Sequence, residues 1–226
     1  MPETQLAAII GVADKLDSIL SLFAAGEKPT GSKDPLALRR AALGILRTAI
    51  HHQWNLNLEA LSTQFTPEVA DFFRDRLKNV LRDEGVRHDI IDASFGLADQ
   101  GFNALAIARR AHTLTAWLAT PGGKEAFAAI KRALNILAAE EKKAKTQFAA
   151  KNAAANLPAE KALFDTLQKN KSAVGPADLE SLTAPINQFF TDVLVTEEGY
   201  KDARLGLLAS VRATASTIAD FSKIEG

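Results

Sequence analysis

Arg87, His88 and Asp89 stand in a row, with His51 and His52 upstream and Asp92 just downstream. Histidine and carboxylate side chains together are the ligands of a metal-dependent phosphohydrolase, where a cation activates water against a phosphoester. Helical geometry opposes that use. Neighbouring residues project about 100° apart, so His88 and Asp89 would both have to turn inward. The plainer role is a helix start, with Asp89 as the cap and His88 beside it. His112, among Ala and Leu, reads as a partly buried core residue. Beyond these residues the sequence shows no supported Ser–His–Asp order, no Gly-rich dinucleotide turn and no paired carboxylates.

The second available chemistry is phosphate binding. Lys28, Lys33, Arg39, Arg40 and Arg47 face Asp34 alone across residues 28–47. Lys124, Lys131, Arg132, Lys142, Lys143, Lys145 and Lys151 face Glu125, Glu140 and Glu141 across 124–151. On a helix over 36–47, Leu36, Arg40, Leu43 and Arg47 share one side, with Arg39 beside them, while Leu38, Ala42 and Ile45 lie opposite. An arginine grips a phosphate bidentately and stacks on an unpaired base. The same arginines also suit ion pairs between packed helices, and both roles stand. Lys131 and Arg132 form a second candidate set, and Lys78, Arg82 and Arg87 a third. Lys142, Lys143 and Lys145 suit a solvated face. Thr30-Gly31-Ser32-Lys33 runs towards a helix N-terminus where free N–H groups could take a phosphate, although Ser32 or Asp34 as a cap is the simpler use. Of the large aromatics, Trp117 falls on an apolar helical face, Tyr200 is a further stacking candidate, and Trp54, after a basic helix, is the better one.

The elements that must carry these residues are helical. Of the 226 residues, 47% are hydrophobic and 24% charged, Lys+Arg and Asp+Glu balance at 27 each, and cysteine is absent. That excludes a disulfide framework, thiolate chemistry and a global field drawing the protein onto nucleic acid. No apolar run approaches the roughly 20 residues of a membrane span, and no basic segment precedes residues 6–13 to make a secretory signal. Ala and Leu dominate and β-branched alternation is nearly missing. Helices are expected over 3–25, 35–52, 66–85, 88–95, 102–119, 124–150, 158–169, 185–194 and 198–221, with a loop at 171–178. In the third, Val69, Phe72, Phe73, Leu77, Val80 and Leu81 recur at helical spacing. Such stripes must bury one another, so the fold class is an all-α bundle.

The run Gly26-Glu27-Lys28-Pro29-Thr30-Gly31-Ser32-Lys33-Asp34-Pro35-Leu36-Ala37-Leu38-Arg39-Arg40-Ala41-Ala42-Leu43-Gly44-Ile45-Leu46-Arg47 resembles the signature of the β subunit of the bacterial two-subunit glycyl-tRNA synthetases. Glu84-Gly85-Val86-Arg87-His88-Asp89, Lys131-Arg132-Ala133-Leu134 and Arg204-Leu205-Gly206-Leu207-Leu208 are similar to further blocks of that family; residues 53–67 and 149–182 carry no likeness. The resemblance implies a C-terminal fragment of the subunit, Met1 being a truncation start. It implies residues 1–28 as the last helix of an HD-like helical domain and 29–226 as a helical anticodon-binding domain, similar to that of arginyl-tRNA synthetases. It implies a cytoplasmic aminoacyl-tRNA synthetase component whose partners are tRNA(Gly) and the α subunit, where ATP is used. The fragment itself is expected to hold no catalytic residue and no cofactor. Its RNA contacts are expected among Lys33, Arg39, Arg40, Arg47, Lys78, Arg82, Arg87, Lys131 and Arg132. A helical subunit-interaction module with little RNA contact, and a metal-dependent HD phosphohydrolase, are the alternatives.

Overall fold

The computed structural model describes residues 2–31, 33–96, 102–150 and 157–225. Its regular elements there are all helical, and β-type pairing is confined to a bridge between Thr30 and Lys33. The all-α expectation holds. The chain forms two compact units, Met1–Ile91 with Ala98–Ala111 and Asp92–Leu97 with His112–Gly226.

In the first unit, α1 (Gln5–Ala24) opens where the Thr4 hydroxyl accepts the Ala7 N–H, and it closes before Gly26 at φ 82°. It buries Ala8, Val12, Leu16, Ile19 and Leu20, a stripe at helical spacing, and packs against α2. Helix α2 (Leu38–His51) starts three residues later than expected. The Asp34 carboxylate takes the N–H groups of Leu38 and Arg39 at 2.9 and 3.1 Å, and Ala37 turns left-handed at φ 56°. Pro35 and Leu36 therefore form a turn ahead of the cap, and the helix buries Leu38, Ala42, Ile45, Leu46 and Ala49. The single turn α3 (Leu58–Leu61), capped by Asn57, lies where the sequence carried no signal. Helix α4 (Pro67–Asp83) is capped by Thr66 and terminated by Gly85 at φ 85°. Phe73 of α4 joins Phe65 and Phe102 in a ring cluster. Helices α5 (His88–Ser94) and α6 (Ala104–Ala119) contribute residues to both units.

In the second unit, α7 (Pro121–Ala144) is capped by Thr120 and packs on α10 (Lys201–Ser216), α9 (Thr183–Asp192) and the 3-10 stretch Pro176–Leu182. α8 (Pro158–Lys169) packs on α9 and α10. Helix α7 was expected to reach residue 150. It ends at Ala144, where Lys145 adopts φ 53° and the Glu141 carboxylate turns instead to the Phe148 N–H and to Arg212. Helix α10 ends at Ser216, short of the expected Phe221: Thr217 and Ile218 turn the chain, and a separate 3-10 element, Phe221–Lys223, follows.

Candidate nucleic-acid interface

The phosphate-binding candidates fall on both units. On the first, Arg40 and Arg47 lie seven residues apart on α2, two turns and about 10 Å along one face. Both are exposed, and both line a concavity of about 410 Å³ between α1 and α2. Lys15 of α1 lines it as well, and the lining includes no Asp or Glu. The helices approach closely because Gly11 and Gly44 bring no side chain: the Lys15 stem passes 3.5 Å from where a Cβ on Gly44 would stand. The Lys15 ammonium donates to the Gly11 carbonyl oxygen at 3.1 Å, which leaves two of its three hydrogens for a ligand.

Arg40 makes no ion pair or side-chain hydrogen bond among the described residues. Arg47 reaches Asp83 at 3.4 Å, with the arginine side chain 48% exposed. An exposed pair at that distance is worth at most about 1 kcal/mol, so Asp83 competes weakly with a phosphate. Three cations around an acid-free hollow have the charge and donor geometry for an oxyanion.

The other candidates are engaged differently. Arg39 donates to the Gly31 carbonyl at 2.6 Å, which ties the signature loop to α2. Thr30 and Lys33 exchange backbone hydrogen bonds, leaving the Lys33 side chain exposed; Ser32 lies outside the described residues. Because Asp34 occupies the first N–H groups of α2, the loop caps the helix rather than presenting its N-terminus. Arg82 is exposed, and Lys78 is half-buried on the same helix, α4. Arg87 pairs with Asp89 at 2.5 Å, and the buried Asp89 carboxylate also takes the Ile90 N–H; α5 starts at His88, as expected, so Asp89 is its second residue rather than the cap. No three His, Asp or Glu side chains converge on a metal position among the described residues.

On the second unit, the Lys131 ammonium donates to the carbonyls of Ser222 and Ile224 at 3.1 and 2.6 Å and so closes the C-terminal turn. Arg132 is exposed, its guanidinium 4.5 Å from the Phe190 ring centroid. Trp117 is core, as expected, with its indole N–H donating to Glu180 at 2.9 Å. His112 is exposed, against the expectation of a partly buried residue: it lies on the outward side of α6 while Ala111 and Leu114 take the core side.

Lys15 was missed by sequence reasoning. It sits on a helix whose apolar stripe is its only periodic signal, and only the approach of Gly44 on another helix brings it beside Arg40 and Arg47.

The description "Glycyl-tRNA synthetase beta subunit" matches residues 1–96. The whole chain aligns at 40% identity with the glycine–tRNA ligase β subunit of Phenylobacterium zucineum, covering 35% of that protein. It aligns at 37% identity, again along its whole length, with the β subunits of two Cereibacter sphaeroides strains, covering 37% of each. Along its whole length the chain is similar to glycyl-tRNA synthetase β subunits. It spans 35–37% of the length of these relatives. The stretch that matches this description supplies Arg40, Arg47 and Gly44 of the concavity, and the helix before them supplies Gly11 and Lys15.

Proposed function

We propose that this chain is the tRNA-gripping part of a glycine–tRNA ligase β subunit, a helical anticodon-binding module akin to that of arginyl-tRNA synthetases. In this reading it holds the anticodon arm of tRNA(Gly) in the cytoplasm, while a separate α subunit uses ATP to join glycine to the tRNA. The similarity to β subunits along the whole chain supports the setting. The observation that carries the reading is the acid-free concavity where Lys15, Arg40 and Arg47 meet. Lys33, Arg82 and Arg132, all exposed, are the further phosphate contacts proposed, with Lys78 beside Arg82 on α4.

The test is a tRNA binding curve over a range of salt. Each phosphate neutralised releases counterions, so log affinity falls linearly with log salt. An affinity too weak to measure at low salt would reject the reading.

One observation favours the alternative of a subunit-interaction module. Leu6, Ile9 and Ile10 of α1 are 68%, 49% and 59% exposed, and neighbouring large apolar side chains left in water are what an interaction surface presents. A chain that binds no tRNA but associates through α1 would support it.

A further inference from the structure

We infer that a groove on α1, beside Trp54, seats an unpaired nucleobase of the bound RNA; this builds on the nucleic-acid reading above. Helix α1 lines two depressions. Gly11, Val12 and Lys15 belong to the cationic concavity. Ile9, Val12, Ala13 and Leu16 line a second groove of about 510 Å³, so Val12 is common to both. Trp54, Leu56 and Leu61 complete the apolar lining of the second, with the exposed amides of Gln53 and Asn55 beside them. A phosphate held at Lys15, Arg40 and Arg47 therefore has an aromatic, apolar groove next to it.

The groove matches a base in shape and in polarity. The Trp54 ring is backed by His52, centroids 5.2 Å apart and planes 25° from parallel, so it is braced as a platform. Base stacking on such a platform tolerates any base, because every base has a π face. The edge of a base needs hydrogen-bond partners. Asn55 accepts from the Asn103 amide at 2.5 Å, and its own amide N–H groups have no partner among the described residues. Gln53 accepts from the exposed Arg109 at 2.5 Å, which brings a fourth cation beside this region. No Asp or Glu lines either depression. That charge pattern selects a polyanion with flat apolar parts over an apolar protein segment, which would gain nothing from the cations.

The chain has two tryptophans, and Trp117 is buried, so ligand-dependent fluorescence change reports on Trp54. The probes are a single-stranded RNA hexamer and a ribose–phosphate hexamer without bases. The hexamer should bind the parent chain about tenfold tighter than its abasic counterpart and quench the fluorescence. Trp54→Leu should lose about tenfold for the hexamer and nothing for the abasic strand, while Trp54→Phe retains most of the affinity. Equal affinities of the parent for both strands without quenching would overturn the inference, as would a folded Trp54→Leu protein binding the hexamer like the parent; the nucleic-acid reading would survive both. The parent comparison needs no variant and decides the matter if Trp54→Leu does not fold. Failure of the parent to bind either strand at low salt would overturn both readings.

Discussion

Arg204 and Glu160 form a buried ion pair, the Arg204 Nε donating to Glu160 Oε1 at 2.6 Å with the two side chains 3% and 5% exposed. The arginine also donates to Glu197 and to the Leu194 carbonyl oxygen, so α10, α8 and the segment between α9 and α10 are tied at one guanidinium. Burial works to lower its pKa, and the hydrogen bonds to Glu197 and Glu160 outweigh that and raise it. The group stays charged wherever the fold exists. Arg204→Ala strands a buried carboxylate, and a loss of about 3–5 kcal/mol in chemical denaturation is expected. A loss below about 1 kcal/mol would show that water replaces the guanidinium.

A second acidic hub sets an acid limit on stability. Glu140 accepts from Lys143 at 2.6 Å and from Lys201 at 2.7 Å, and those hydrogen bonds hold its pKa below the ordinary carboxylate value. At Glu141 burial pushes upward, and hydrogen bonds from Arg212 and the Phe148 N–H override it. A carboxylate with a lowered folded pKa contributes stability above its unfolded pKa of about 4.3 and loses it as pH falls through the folded value. The stability advantage of the parent over Glu140→Gln should therefore hold at neutral pH and shrink as pH falls below about 4. An advantage that is flat down to pH 2.5 would remove Glu140 from the acid response.

The start of α7 admits no side chain at Gly123. A Cβ there would lie 2.0 Å from the Trp117 carbonyl oxygen, an approach no contact tolerates, and the neighbour is backbone. Gly123→Ala should cost about 1–3 kcal/mol despite alanine's better helix propensity, because the turn from α6 into α7 has to open. A melting temperature equal to or above that of the parent would contradict the packing at this turn.

The sequence was explicit where local chemistry decides. Thr66-Pro67 opened and Gly85 closed the helix expected over 66–85, because caps and positive φ need only neighbours in the chain. It misled at residue 35, where Pro looks like a first helical position but Asp34 reaches past it to Leu38 and Arg39. It ran α7 too far, since charged residues fit a helix and a turn equally well until Arg212 draws Glu141 aside. The concavity was half legible. Arg40 and Arg47 shared a face by spacing alone, whereas Lys15 joined them only through packing between helices.

The central claim is that Arg40 and Arg47 hold RNA rather than the fold, and the most direct measurement is the salt dependence of tRNA(Gly) binding by Arg40→Gln/Arg47→Gln beside the parent. Arg40 has no partner among the described residues and Arg47 has only an exposed one at 3.4 Å, so the double variant should keep its helical content and melt close to the parent. Its tRNA affinity should fall by about 1–3 kcal/mol, and the slope of log affinity against log salt should flatten by about 1–2 units. A folded double variant with the affinity and slope of the parent at low salt would contradict the account.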